Sequence, residues 1–451
     1  EVQSCNERND SMLGKKSNQM AMFQYINLEE LIPENHILRR IDKAVDFTFL
    51  HDLVAPLYAE KGRPSIDPEV ALRAMLIGYL FDLNDHRLHQ ELQMHAGYRW
   101  FCRLDFNTPV PERSSLIKIR ERWAEAGVLD RVLDHIIRQC REAGLLRGDV
   151  AIDGTLVQAN AAIKSLERMA REHEEEAVSS STDDDDDDPK DPPPRNRQAG
   201  DPDFHNERFS NATHRSKTDP DARLFRKGKG KEAQLCYMVH YVVDVPSGVI
   251  LGVEATRATG DAERSAARRL LKEARRRLPA TAPGERRKWV SDGGYEEKTL
   301  FAEAIRLGFD PYVPVKNKEM EPIPTWKRRT SKLDQQLKRA VKVRCAKACN
   351  YVRSLNLRPL AKIMQHFRKR VEHLFAEGKE HHGLRRARGR GLPRVQQQAI
   401  LTAIVQNMKR LVNALHRHRP AGEGAGVAYP IDSPRNEHSF GLSCQFRWMF
   451  S

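Results

Sequence analysis

The chain has 451 residues, room for two or three domains and a sizeable core. Hydrophobic residues make up 39% and charged residues 31%, and no apolar run approaches the roughly 18 residues of a membrane-spanning helix. A net charge of +14 and a pI of about 9.5 point to a polyanionic partner, most often nucleic acid, although a merely soluble basic protein has the same balance.

The first residues, EVQSCNERNDSMLGKKSNQ, have no apolar signal core. A disordered tail over 1–22, with Met12 as an alternative start, and a cytoplasmic location are the expectations. The seven cysteines (Cys5, Cys102, Cys140, Cys236, Cys345, Cys349 and Cys444) are odd in number and scattered, which argues against a disulfide framework. Cys345 and Cys349 have helical spacing but no His/Cys pair to complete a zinc site, so they read as helix residues.

Residues 23–148 read as an all-helical domain. Apolar positions recur at helical intervals around Pro33. In GRPSIDPEVALRAMLIGYLFDL, Asp67 can cap and Pro68 suits the first helical position. Breaks at Asn84-Asp85 and at NTPVPERSS separate further helices, the last ending near Gly144. Helices of this length with short loops resemble a helix-turn-helix-type DNA-binding module. Arg113, Lys118, Arg120 and Arg122 are then placed to meet phosphates. A helical scaffold or dimerisation domain fits the same segment equally well.

At residue 149 the period changes. DVAID alternates as a buried strand does, and puts Asp153 at its end, where a carboxylate needs a partner or a metal. A polar helix is expected from Ile163, then a low-complexity tract with six consecutive Asp residues. The tract cannot bury enough apolar surface to fold, so 163–209 is expected to be a largely disordered insertion with a solvated acidic run. LCYMVHYVVDVPSGVILGVEAT predicts a hairpin turning at Pro246-Ser247-Gly248. A basic helix over 261–277, a strand over 288–291 ending at Asp292, a helix over 297–307 and a strand over 309–315 follow.

A basic stretch over 327–344 leads to a helix that carries Arg368, Glu372 and Lys379 on one face, beside Val371, Leu374 and Phe375. Alone, that helix reads as a solvated basic surface with i,i+4 ion pairs. A tail over 416–451 ends the chain. Two Asp residues at strand ends and one Glu on a helix face, gathered in the crevice of a mixed α+β sheet, make an oxygen-only site for Mg²⁺ or Mn²⁺. Two such ions can activate a water or hydroxyl and stabilise the leaving oxygen of a phosphodiester.

From about Phe23 to Leu415 the sequence resembles the DDE transposases of bacterial insertion sequences, in the insertion-sequence-four and -five groups. The matching stretches are AIDGTLVQAN around Asp153, SNATHRSKTDPDARLFRKGKGKEAQLCYM, SDGGY around Asp292, RKRVEHLFAEGKEHHGLRRARGRG around Glu372, and GRPSIDPEVALRAMLIGYL near the N-terminus. The resemblance implies an α/β catalytic domain over 149–415, an RNase H-like mixed sheet flanked by helices, with Asp153, Asp292 and Glu372 as catalytic metal ligands. It implies that Arg368 and Lys379 contact DNA, through a tyrosine-arginine-glutamate-lysine signature. The chain departs at the tyrosine: Gln365 stands three residues before Arg368, leaving that role unfilled or taken by a neighbour such as His366. Arg385 and Arg386, in the basic stretch after this helix, are expected to line the DNA path. The implied activity is cleavage at terminal inverted repeats and strand transfer into target DNA, with two Mg²⁺ or Mn²⁺ ions, neither ATP nor a covalent intermediate, and a homodimer acting at the nucleoid. A catalytically inert DNA-binding descendant and an RNase H-like nuclease without strand transfer are the alternatives.

Overall fold

In the N-terminal region, short helices follow one another wherever apolar residues recur at helical spacing and a side chain is ready to cap the next turn. The computed structural model describes residues 27–59, 61–62, 65–169, 209–226, 228, 232–326 and 332–417. The tail over 1–22 with Met12, the six-Asp tract within 170–208, residues 327–331 of the basic stretch and residues 418–451 lie outside the described residues.

Eight helices open the fold: α1 (Leu28–Leu31), α2 (Ile37–Ala44), α3 (Phe49–Val54), α4 (Pro68–Leu80), α5 (Asp85–Met94), α6 (Ala96–Phe101), α7 (Arg113–Glu125) and α8 (Val128–Glu142). Asp67 caps α4 as expected, its Oδ1 accepting from the Glu69 and Val70 amides at 2.7 and 3.2 Å, with Pro68 in the first turn. Asn84 caps α5 in the same way. Arg120 does not face solvent for a phosphate. It donates to both oxygens of Asp85, at 2.9 and 2.7 Å, and ties α7 to α5.

Five strands carry the centre of a mixed sheet: β1 (Val150–Gln158), β5 (Gln234–Asp244), β6 (Ile250–Arg257), β7 (Arg287–Val290) and β8 (Phe309–Tyr312). The order is β6-β5-β1-β7-β8, with β5 antiparallel to β6 and β1, and β1, β7 and β8 mutually parallel. Short β4 (Arg223–Phe225) extends the β6 side of β5. With helices α9 (Ala262–Arg277), α10 (Lys298–Arg306), α11 (Leu333–Asn356), α12 (Pro359–His381) and α13 (Leu392–Arg417), this is an RNase H-like α/β arrangement. The expected hairpin is β5–β6. Its turn is held by buried Asp244, which accepts from the Ser247 amide and hydroxyl, and Gly248 takes the positive φ of 72° that the turn requires.

Two expectations are corrected. β1 does not stop at Asp153. It runs on to Gln158, because β5 continues the antiparallel ladder from Val150↔Asp244 to Gln158↔Cys236. The parallel ladder with β7 ends at Ala151, so on that side alone Asp153 lies beyond the paired strands. Among the described residues the polar helix expected from Ile163 does not form: residues 163–165 make a 3₁₀ turn, and β2 (Leu166–Arg168) pairs with β3 (His214–Ser216).

One hydrophobic core runs through the helical region and the sheet. α13 is its spine. It buries Val395, Ile400, Ile404, Met408 and Leu411 and packs against α2, α4, α7, α8 and β6. It also closes the edge of β6, since Asn407 exchanges two 2.8 Å hydrogen bonds with the Ile250 backbone and Gln396 bonds the backbone of Val253 and Ala255. Cys345 and Cys349 are buried on α11 as free thiols. Among the described residues no helix is long and apolar enough to cross a membrane.

Candidate active site

α12 packs on β1, β7 and β8 and brings Arg368 to the Asp153 carboxylate. Val371, Leu374 and Phe375 anchor it. Val371 is fully buried, and Phe375 stacks on Tyr241 of β5 at 4.6 Å. Gln365, at the position where the resemblance expects tyrosine, also has an anchoring place. Its amide donates to the carbonyls of Ser291 (3.1 Å) and Tyr312 (2.7 Å), pinning α12 to the ends of β7 and β8.

Asp153 is buried, 9% exposed. Its Oδ2 accepts from Arg368 at 3.0 Å, and the same guanidinium reaches Glu372 Oε1, one turn on, at 2.8 Å. Arg368 is therefore the cation shared by these two acids. Asp292, two residues beyond β7, accepts the Gly294 amide at 2.9 Å and caps the short turn 293–295. Ser291 binds β7 to β1 just behind it, its hydroxyl donating to the Ile152 carbonyl at 2.8 Å. Among the described residues no three His, Cys, Asp or Glu side chains stand close enough to hold an ion as they lie. Asp153 and Glu372 share Arg368 instead.

The electrostatics bind these groups more tightly than hydrogen bonds alone indicate. Burial, with the charges of Asp292 and Glu372, pushes the Asp153 carboxyl up to about 6 against the opposing Gly154 amide and Arg368. A further acid, Glu263 in the first turn of α9, feels the same field. Burial and the charges of Asp292 and Asp153 push it up to about 7. Tyr295 is fully buried beside them. Burial and the Glu263, Asp153 and Asp292 charges raise its phenol well above the ordinary range, and its hydroxyl has no hydrogen-bond partner. Sequence reasoning missed both residues. Tyr295 was in view in the SDGGY stretch, while Glu263 reads as an ordinary acid favourable to a helix N-terminus.

The expected DNA-contacting residues fall in three places. Lys379 is on α12, seven residues after Glu372, half-buried. Arg385 and Arg386 are exposed where the chain meets the far end of β1. The Gln158 amide donates to the Arg385 carbonyl at 3.1 Å, Arg386 reaches Asn160 at 3.4 Å, and the Arg385 guanidinium pairs with Glu380. Arg113 and Lys118 are exposed on α7, which packs on α4, α5, α8 and α13. Among the described residues no hydrogen bond or ion pair joins Arg113, Lys118, Arg385 or Arg386 to Asp153, Asp292 or Glu372. Glu377, five residues after Glu372, faces away from the site, paired with Lys409 at 2.6 Å and Arg410 at 2.9 Å.

Comparison with known families gives two matches. Residues 26–122 match a transposase domain, and residues 208–408 match the transposase DDE domain. Asp292 and Glu372 fall within the second match, and Asp153 lies between the two. No solved structure matches the chain.

Proposed function

The chain belongs to the DDE transposases of insertion sequences, metal-dependent enzymes that bind, cut and rejoin DNA, and on that premise we propose that Asp153, Asp292 and Glu372 are its three catalytic acids. The observation that carries this reading is the shared guanidinium: Arg368 pairs with Asp153 on β1 and with Glu372 on α12, while Asp292 lies two residues beyond the strand next to β1. Asp292 and Glu372 both raise the Asp153 carboxyl, as close like charges must. The donors are all carboxylate oxygens, which suit Mg²⁺ or Mn²⁺ over softer metals. A pair of such ions, when bound, supplies an activated nucleophile and neutralises the charge on the leaving oxygen.

The residues of the chain have separable tasks. Asp153 sits within β1, just past its parallel ladder with β7, and Asp292 follows the end of β7 by two residues. Glu372 completes the set from a helix whose placement rests on Gln365 and Phe375. Arg368 balances the acids and, with Lys379, Arg385 and Arg386, offers positive charge to the phosphates entering the crevice. Arg113 and Lys118 give the helical region a second basic surface, suited to DNA flanking the cut. The DNA recognised is the terminal inverted repeat of the element, and the two ends are held by a homodimer at the nucleoid.

The test is a comparison of Asp153→Asn, Asp292→Asn and Glu372→Gln in paired cleavage and strand-transfer assays, with DNA binding measured without metal. Each variant should lose both reactions and keep binding. Wild-type cleavage by any one of them removes that residue from the catalytic set.

A further inference from the structure

Glu263 stands on a different element from the three acids, yet it comes close to Asp292. Gly294 makes the approach possible. A Cβ built at Gly294 would lie 3.0 Å from Glu263 Oε2 and 3.1 Å from Asp292 Oδ1, so the missing side chain is the space between these carboxylates. The backbone does not require glycine there, because Gly294 is not among the positive-φ glycines. The Tyr295 hydroxyl is a second sign. It is buried without a hydrogen-bond partner, and the acids acting on it are Glu263, Asp153 and Asp292. A buried hydroxyl left unpaired is costly.

Positive charge is unevenly supplied. Arg368 pairs with Asp153 and Glu372. On the opposite side, Arg264 opposes the Glu263 shift and pairs with Asp261 at 3.2 Å. Asp292 is bonded to a backbone amide. Glu263 and Asp292 thus face the Gly294 gap together beside a buried hydroxyl, with Asp153 in the same field and Arg368 shared between Asp153 and Glu372. A hydrated divalent cation supplies what this corner lacks, positive charge for the acids and a water for the hydroxyl.

We propose that Glu263 is a fourth acid of the catalytic metal site, binding a divalent cation together with Asp153 and Asp292, and that the Tyr295 hydroxyl is a positioning group that bonds the water carried by that cation. This rests on the reading of Asp153, Asp292 and Glu372 as metal ligands. The helix-dipole account of Glu263 explains an acid in a first turn, but not the glycine gap facing it or the orphaned hydroxyl beside it.

The experiment titrates Mn²⁺ into the full-length protein without DNA and reads free Mn²⁺ by electron paramagnetic resonance. Wild type, Glu263→Gln, Tyr295→Phe, Asp153→Asn and Glu273→Gln are compared, with thermal midpoints measured in chelator. Glu273 lies farther along the same helix, paired with Arg276 and Arg277, and serves as the control. Glu263→Gln should raise the Mn²⁺ Kd at least about tenfold and Tyr295→Phe a few-fold, while Glu273→Gln leaves it unchanged. In chelator, Glu263→Gln should raise the thermal midpoint, since it removes one of three repelling charges. Unchanged Mn²⁺ binding in Glu263→Gln overturns the proposal. So does a lowered midpoint or an unfolded variant, because the charge would then be a structural support. If Asp153→Asn also binds Mn²⁺ as wild type does, the reading of the three acids has failed. If Asp153→Asn loses the ion and Glu263→Gln keeps it, only the fourth acid is rejected.

Discussion

Gly154 follows Asp153 on β1 and stands opposite His240 on β5. His240 is fully buried, with Nε2 bonded to Thr256 at 2.9 Å, and burial pushes its imidazole down to about 3, so the ring is neutral. A Cβ at Gly154 would lie 2.8 Å from His240 Nδ1. The ring is enclosed and cannot swing aside, so Gly154→Ala should cost about 1–3 kcal/mol by overpacking. A urea midpoint equal to wild type would show that the strand pair absorbs the methyl. Glu377 is a structural acid of the opposite kind. Burial pushes its carboxyl up, but His382, Arg410 and Lys409 pull it well below the usual carboxylate range. A depressed folded pKa adds stability that is present above the unfolded value of about 4.3 and lost as pH falls below it. Glu377→Gln should therefore be less stable than wild type by about 3 kcal/mol at pH 7, and the gap should narrow from pH 5 downward. A gap that stays constant with pH would assign the loss to packing.

At the scale of the element, α12 carries two kinds of side chain on one face, and they can be separated. If Lys379 meets phosphate as proposed, that contact releases condensed counterions. A charge-neutral Lys379→Gln should weaken binding to element ends and lower the salt slope of binding by about one unit. Glu372→Gln removes one of the three proposed catalytic acids, so it should abolish cleavage and leave metal-free binding unchanged or slightly tighter. A gel-shift titration across salt, run beside a cleavage assay, reads both; an unchanged slope for Lys379→Gln would take that residue off the DNA path. Much of this face was legible beforehand, since Arg368, Glu372 and Lys379 recur at helical spacing and Val371, Leu374 and Phe375 mark the buried side. So were the hairpin and the strand before Asp292, whose alternation and turn residues are local signals. The rest depends on partners distant in sequence. β1 continues past Asp153 because β5 runs alongside it, and residues 166–168 become a strand because 214–216 offer a ladder. The approach of Glu263 to Gly294 is tertiary too, and no spacing within α9 announces it.

For the whole molecule, the boundary expected between 148 and 149 meets a core that crosses it. Leu133 on α8 is buried, and α8 packs on α13, which in turn packs on β6 and bonds its edge. The helical region therefore shares its apolar interior with the sheet through α13. Its inner surface is covered by α13, the last helix among the described residues, and that helix also covers the sheet. Two regions sharing one core should unfold together. Leu133→Ala should cost about 2–5 kcal/mol through the cavity it leaves. In hydrogen exchange, that loss should appear in full at the β5 amides, although β5 lies in the sheet and Leu133 in the helices. Two independent domains behave differently: the substitution would lower protection in α4 and α8 and leave β5 untouched. Protection measured amide by amide in wild type and Leu133→Ala decides between them. Equal losses in α8 and β5 make the helical region part of one body with the sheet, so that strain on α7, where the proposed DNA contacts Arg113 and Lys118 lie, reaches β1 and β7 through packed side chains.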